Sequence, residues 1–187
     1  MTTASGKKLL TLAEFEALVE KLPEGERVEL IEGEVVAMSP ISDRNAGRIL
    51  RLNELFTRLL GERAIVGIQG PVRLGERTVL LPDVIVLLRR PDFYETRLAG
   101  ATDVLGLIEV ADSSLSFDRG RKARVYATAG VAEYWIVNLR QDVLHVHREP
   151  SAFGYRSRTE LRAGERVALN AIPDLQIEVA ELLPPAP

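Results

Sequence analysis

The sequence predicts a single α/β (α+β) domain in which helices alternate with strands. The clearest strand pattern is Val104–Ala111, eight residues that are nearly all apolar, as is typical of a central strand covered on both faces. Helical patterns precede and follow it, at residues 11–21, 42–60 and 117–129. A chain of 187 residues is long enough for one ordinary core and short for two. We therefore expect one domain over residues 1–187, with its core at about 10–180 and frayed ends.

Local signals set the bounds of the first elements. Thr11 is followed by Glu14 three residues later, a capping-box pattern that predicts a helix start. Pro23 and Gly25 end that helix. Two short strands then turn around Glu32-Gly33.

The second predicted helix has an apolar stripe for the core, and its arginines, Arg44, Arg48, Arg51 and Arg58, lie mostly off that stripe. Two strands follow it, at 64–74 and 79–88, and turn at Gly75-Glu76. The elements predicted after the central strand and the 117–129 helix are strands at 133–138 and 143–147, then two or three short antiparallel strands within 153–179.

Composition restricts the class of protein. A hydrophobic content of 46% and a charged content of 27% are those of a soluble globular protein. No apolar run approaches the roughly 18 residues of a membrane span, and the first eight residues have no apolar stretch of the signal-peptide type. We therefore expect a cytoplasmic protein with no membrane partner. The net charge of −3 gives no overall electrostatic indication of nucleic acid, although a local basic patch is compatible with it.

Two carboxylates stand in otherwise apolar strands, Asp83 after Pro82 and Glu109 in the central strand. Burying a carboxylate is costly unless it is paired or bound to a metal, and a shared divalent cation would satisfy both. The chain has no cysteine, which excludes thiolate zinc sites. Its imidazoles are His145 and His147, so a metal site must be mainly carboxylate, which favours Mg²⁺ or Mn²⁺.

Two other patterns have plainer interpretations. His145 and His147 lie two residues apart on one strand face, but no third ligand is near them in sequence, so we predict a surface strand face. Pro173-Asp174 repeats the Pro-Asp dipeptide, a common turn former, but leaves no room for a second strand and precedes no basic helix.

Lysine is rare in this chain. Twenty of the 24 basic residues are arginine, and the four lysines are Lys7, Lys8, Lys21 and Lys122. Lysine is a compact charge with a tunable pKa, which arginine is not, so Lys122 is a candidate catalytic residue. The alternative is a solvated helix residue with Asp118 as its i, i+4 partner, in a basic cluster at 119–124 that forms a solvated face or contacts phosphate.

In their order, these motifs resemble the PD-(D/E)XK nuclease superfamily. More specifically, the chain is similar over about residues 10–180 to the Uma-type family of restriction-endonuclease-like proteins. The matching segments are VELIEGE at 28–34, MSP at 38–40, LPDV at 81–84, IEV at 108–110, the spacing of Asp118, Lys122 and Tyr126, and GVAEYWIV at 130–137. The resemblance implies a restriction-endonuclease-like fold, a mixed β-sheet flanked by helices.

The resemblance also implies roles for individual residues. Asp83 and Glu109 would bind the divalent ion, with the backbone carbonyl of Val110 as a further ligand. Glu29 would be an accessory acid at the edge of the site.

The chain departs from the family pattern at two positions. The superfamily places its lysine two residues after the strand glutamate, where this chain has Ala111; in the Uma-type family the lysine lies on the following helix, which matches Lys122. Asn45 stands where similar sequences often carry histidine, so the resemblance assigns the segment around it no role.

The predicted function is therefore that of a Mg²⁺- or Mn²⁺-dependent endonuclease that hydrolyses phosphodiester bonds in DNA. We expect a homodimer, since sheet edges need covering and nucleases that cut both strands commonly act as dimers. Two alternatives remain open: a non-catalytic nucleic-acid-binding or transposon-associated module on the same fold, and a structural oligomerisation protein whose acids are only hydrogen-bonded.

Overall fold

The structure is a computed structural model and describes residues 8–183. Its helices are α1 Leu12–Val19, α2 Asp43–Leu60, α3 Leu115–Phe117, α4 Ala123–Thr128 and α5 Val179–Leu182. Its strands are β1 Val28–Ile31, β2 Glu34–Ala37, β3 Ala64–Ile68, β4 Val72–Gly75, β5 Thr78–Leu80, β6 Val84–Leu88, β7 Ala99–Gly100, β8 Val104–Ala111, β9 Glu133–Asn138, β10 Val143–Ser151, β11 Gly154–Leu161, β12 Arg166–Val167 and β13 Ile177–Glu178. Short 3₁₀ turns occupy Gly61–Arg63 and Ala101–Asp103, and a π-helical turn occupies Asp118–Lys122.

Two β-sheets form the frame. The larger has six strands in the order β11-β10-β9-β8-β6-β3, in which β8 and β9 run parallel and the other neighbours antiparallel. The smaller has five strands in the order β2-β1-β5-β4-β7, and β12 pairs with β13. The prediction of a mixed β-sheet flanked by helices is confirmed.

The six-stranded sheet carries core on both faces. On one face α2 packs through Phe56 against Trp135 of β9, with ring centroids 6.2 Å apart. On the other face α4 packs through Tyr126 against Tyr134, with centroids 4.8 Å apart. Strand β8 lies between these layers and is buried along almost its whole length, as its apolar sequence predicts.

The two long strands predicted at 64–74 and 79–88 are each broken. After β3 the chain leaves the six-stranded sheet near Pro71, forms the β4–β5 hairpin in the smaller sheet, and returns at Pro82 to begin β6. Proline has no backbone N–H to donate to a sheet ladder, and this explains why both breaks lie at prolines. Asp83 consequently lies where the chain passes from one sheet to the other.

The helix starts agree with the sequence. Thr11 and Glu14 form the predicted capping box on α1, and Ser42 caps α2 by accepting the backbone N–H of Asn45. The arginines of α2 were predicted to lie mostly off the core stripe, but Arg48 is buried. Within residues 8–183 no helix is long and apolar enough to cross a membrane. The frayed ends expected of the chain fall largely at 1–7 and 184–187, outside the described residues.

Candidate active site

Asp83 is held from both sides of the bend that joins β5 to β6. Its Oδ2 accepts a 2.8 Å hydrogen bond from the backbone N–H of Val110, and its Oδ1 accepts one of 3.3 Å from Nε2 of Gln69. Gln69 has a left-handed φ of 50°, and its Oε1 accepts a 3.0 Å bond from Arg27. The orientation of the Asp83 carboxylate thus depends on its neighbour strand β8 and on the loop before β4.

Glu109 lies in β8 and is almost fully buried. Side chains alternate along a strand, so Glu109 faces the α3–α4 layer while Ile108 and Val110 face α2. Its Oε1 accepts hydrogen bonds of 2.9 Å from both Lys122 Nζ and Tyr126 OH. No described residue donates a hydrogen bond to its Oε2, which is therefore available to a ligand.

Glu29 on β1 joins the same group of charges. It is 2% exposed, and its Oε1 accepts the backbone N–H of Leu81 at 2.9 Å and lies 3.0 Å from Lys122 Nζ. Lys122 therefore bridges a carboxylate of the smaller sheet and Glu109 of the larger one. Its side chain is 6% exposed, so the alternative of a solvated lysine is wrong.

A π-helical turn presents Lys122 to the carboxylates. Between α3 and α4 the backbone N–H of Ala123 donates to the carbonyl of Asp118, five residues back. Single π turns inside α-helices are often found at functional sites. This turn buries both Asp118 and Lys122, and α4 then places Tyr126 one turn further along, so that both Lys122 and Tyr126 reach Glu109.

Asp118 is the site residue that reasoning from the sequence missed. The alternative interpretation of Lys122 made Asp118 its surface partner, but Asp118 is buried, and its Oδ2 accepts a 2.6 Å bond from Ser114 Oγ. The signal that could have found it is the spacing of Asp118, Lys122 and Tyr126 in the family resemblance.

These groups line one cavity of about 420 Å³. Its acidic wall consists of Glu29, Asp83, Glu109 and Asp118. The rest of the lining forms a mostly uncharged rim from the loop before α2, the start of α2, the loop after β8 and α3; it includes Ser39, Ser42, Asn45, Ser113, Ser114 and Phe117. The cavity is large enough for a phosphate and its immediate neighbours.

The cavity has more negative than positive charge. Burial, with the nearby negative charge of Glu109 adding to it, raises the pKa of Asp83 to about 7. The same two causes raise the pKa of Asp118 to about 7. Burial also raises the pKa of Glu29. Burial alone would lower the pKa of Lys122, but Glu109, Glu29 and Asp118 raise it well above its usual value, so the amine is an ammonium at neutral pH.

The comparison with protein families identifies the chain. The model of the Uma2 family, described as "Putative restriction endonuclease", matches residues 12–180. The chain belongs to the Uma2 family. This confirms the resemblance to Uma-type proteins, and no curated protein matches the chain.

A solved structure has the same fold as this Uma2 protein. It is the crystal structure of a "putative nuclease belonging to DUF820" from Anabaena variabilis ATCC 29413. The TM-score is 0.69 at 16% sequence identity, over 92% of this chain and 97% of that chain. The similarity confirms the predicted fold class.

The donors in this Uma2 cavity fit a hard divalent cation. Asp83 and Glu109 offer carboxylate oxygens, and the Val110 carbonyl accepts a 3.3 Å bond from Asn45 Nδ2, which leaves it one lone pair. Within residues 8–183 no three Asp, Glu or His side chains are arranged to enclose an ion. Magnesium commonly uses one or two carboxylates, waters and substrate phosphates, and the two carboxylates here match that pattern.

The prediction that His145 and His147 form a surface strand face is wrong. Both are buried, because α4 packs against β10 on the face that carries them. His147 lies edge-on to Tyr134, with ring centroids 5.6 Å apart, and burial, with the nearby Arg158 adding to it, lowers its pKa to about 4. These imidazoles belong to the core beneath α4.

Proposed function

We propose that this chain is a metal-dependent endonuclease that hydrolyses phosphodiester bonds in DNA. The observation that carries the proposal is the buried Lys122, whose amine lies 2.9 Å from Glu109 and 3.0 Å from Glu29 on the wall of a cavity that also contains Asp83. Membership of a family described as "Putative restriction endonuclease" supports it.

Asp83 and Glu109 would hold Mg²⁺ or Mn²⁺, with the Val110 carbonyl as a third oxygen. When bound, the ion would polarise the scissile phosphate and lower the pKa of a coordinated water. Hydrolysis joins the water oxygen to phosphorus and breaks the bond from phosphorus to one deoxyribose oxygen, which takes up a proton as it leaves. The chain's own residues must orient the phosphate, stabilise the charge that develops on it and accept a proton.

Lys122 is suited to stabilising that charge. Because its pKa is raised by the surrounding carboxylates, it stays protonated and does not act as a base. An ammonium fixed by Glu109 and Glu29 stabilises charge on the phosphate oxygens without having to reorganise. Asp118 has a pKa near neutrality, which suits a group that exchanges a proton with water. Glu29 bonds to Lys122 and Leu81 and acts as an accessory acid that holds the amine.

The proposal is tested with Asp83→Asn, which keeps the side-chain shape and an acceptor for Val110. We expect the wild type to nick or linearise plasmid DNA with Mn²⁺, and Asp83→Asn to lose at least about 100-fold in rate, since ligand removal commonly eliminates metal catalysis. The matched control is Asp174→Asn. Asp174 also follows a proline, but its carboxylate pairs with Arg63 at the surface.

Equal cleavage by the wild type and Asp83→Asn would contradict this assignment of the site. A wild type that binds DNA and cuts nothing under Mg²⁺ or Mn²⁺ would favour the non-catalytic binding module. A wild type that neither binds nor cuts would favour a structural oligomerisation protein.

Metal binding has a readout that does not depend on cleavage. A ligand that binds only the folded state raises the thermal midpoint by mass action. We therefore expect Mn²⁺ to raise the midpoint of the wild type and of Asp174→Asn, and to leave that of Asp83→Asn unchanged. Identical shifts in all three proteins would place the ion elsewhere.

A further inference from the structure

Three arginines on one face of α2 lack a carboxylate partner. Arg44, Arg48 and Arg51 are spaced four and three residues apart, so they share a helix face over roughly 10 Å of its length. Arg44 and Arg51 are exposed, and Arg48 between them is 7% exposed. Among residues 8–183, none of the three forms an ion pair. We call these three residues the arginine face.

Arg48 is the unusual member of this face. Its Nε and Nη1 are shielded from solvent and have no hydrogen-bond partner among the described residues. Burial lowers its pKa, and the positive charges of Arg51 and Arg44 lower it further; only Asp142 acts in the other direction. A buried cation without acceptors destabilises a fold more than an apolar side chain of similar size would. A ligand that supplies oxygen acceptors would account for its presence.

The arginine face begins beside the cavity. Asn45 in the first turn of α2 and the capping residue Ser42 belong to the cavity rim, and Arg44 lies between them in sequence. Arg44 Nη2 donates a 2.6 Å bond to the carbonyl of Leu139, whose backbone N–H donates to Ala111 at the end of β8. The positive charges therefore start at the rim of the cavity and continue along the helix.

We propose that the arginine face binds backbone phosphates of the DNA strand next to the bond that is cut. The identity of the ligand rests on the proposed nuclease function. Guanidinium groups present paired N–H donors that match phosphate oxygens, and such contacts position a strand without reading its sequence. A phosphate between Arg44 and Arg51 supplies the acceptors that Arg48 lacks, and the long Arg48 side chain has the reach to turn toward it.

The other basic surfaces fit this role less well. In the basic cluster at 119–124, Arg121 pairs with Glu34 at 2.8 Å and Arg119 lies 3.9 Å from Glu160, so part of its charge is neutralised. At the far end of α2, Arg58 pairs with Glu181 at 3.6 Å. Arg58 is therefore a matched control, because it is on the same helix and exposed but already has an acidic partner.

The test measures binding of a fluorescent DNA duplex by anisotropy in EDTA, over a range of salt concentrations. We expect the double variant Arg44→Gln, Arg51→Gln to bind at least about 10-fold more weakly. The slope of its log affinity against log salt concentration should fall by the amount that corresponds to about two phosphate contacts. Arg58→Gln should keep the wild-type affinity and slope. A double variant with the wild-type slope would overturn the proposal.

Arg48→Met separates a ligand contact from a packing role. Methionine fills similar space without a charge, so we expect a higher thermal midpoint together with weaker DNA binding. A lower midpoint with unchanged binding would make Arg48 a structural residue and contradict the proposal.

The two proposals fail differently. Binding in EDTA is measured without cleavage. If the wild type cuts no DNA but its binding depends on the arginine face, the proposed nuclease activity is refuted and the proposed phosphate site is retained. A wild type that cleaves DNA, with arginine variants that bind and cleave equally well, would refute only the phosphate site.

Discussion

Lys122 is the single side chain on which the charges of the cavity depend. It is the only cation that directly contacts the buried acids Glu29 and Glu109 among the described residues. Its ion pairs link the two sheets, because Glu29 comes from β1 and Glu109 from β8. At the residue scale, the charge balance of the cavity and the chemistry of the proposed reaction therefore depend on the same atom, Nζ.

We expect Lys122→Met to destabilise the metal-free protein by about 3–5 kcal/mol, because removing one partner of a buried ion pair leaves the other charges uncompensated. Urea unfolding at pH 7.5 measures the change. The same substitution should cost less at pH 5, where Asp83 and Asp118, with pKa values of about 7, are protonated. A loss below about 1 kcal/mol at pH 7.5 would mean that the ion pairs of Lys122 with Glu29 and Glu109 contribute little to stability.

The raised pKa of Asp83 predicts how the stability of the protein depends on pH. The pKa of Asp83 rises from 3.8 when unfolded to about 7 when folded, so the folded state binds the extra proton. The metal-free protein should therefore lose stability as pH rises from about 4 to 7 through this group. Asp83→Asn should reduce that loss and raise the free energy of unfolding at pH 7.5 by on the order of 1 kcal/mol. Thermal midpoints between pH 5 and 8 measure both effects, and parallel curves for the two proteins would contradict the shift.

Stabilisation by divalent ions should increase as the pH rises, in contrast to the stability of the metal-free protein. Binding requires deprotonated carboxylates and releases protons, so the rise in thermal midpoint with Mn²⁺ should grow between pH 5.5 and 8. A rise that does not vary with pH would indicate ligands other than Asp83.

At the element scale, the π-helical turn at Asp118–Lys122 is what brings two charged groups into the cavity. One added residue in a helix turn changes which side chains face inward, and removing it restores a regular α-helix. Deleting Gly120, which is exposed and has open space around it, should therefore keep the flanking helices but displace Lys122 and abolish cleavage. Circular dichroism and plasmid cleavage measure the two effects.

Gly120→Ala is the control for that deletion. It keeps the residue count, and replacing a helical glycine by alanine stabilises by about 0.5–1 kcal/mol. Cleavage should persist with a slightly higher thermal midpoint. Loss of cleavage in both variants would show that the glycine matters for a reason other than the π turn.

Local signals predicted most elements well. The capping box at Thr11 and the apolar run of β8 each depend on neighbouring residues alone, and both predictions are confirmed. The breaks at Pro71 and Pro82 were missed because an apolar run has the same pattern whether it stays in one sheet or passes between two. The burial of Asp118, Arg48 and His147 depends on which distant element covers them, and a single sequence does not contain that information.

At the scale of the whole molecule, self-association stays a prediction. The six-stranded sheet ends in β3 and β11, and the five-stranded sheet ends in β2 and β7, so edges are available for a second subunit to cover. We expect a dimer by light scattering at micromolar concentration, and a monomeric mass would count against it.

The bridge from Glu29 through Lys122 to Glu109 has a consequence for how this site could decay during evolution. A lineage that lost the lysine alone would keep several buried negative charges with nothing to offset them, and would fold poorly. A lineage that first replaced the acids would leave a buried ammonium in the same difficulty. Inactive descendants should therefore have exchanged lysine and acids together for neutral side chains, so that loss of catalysis appears in their sequences as a linked set of substitutions.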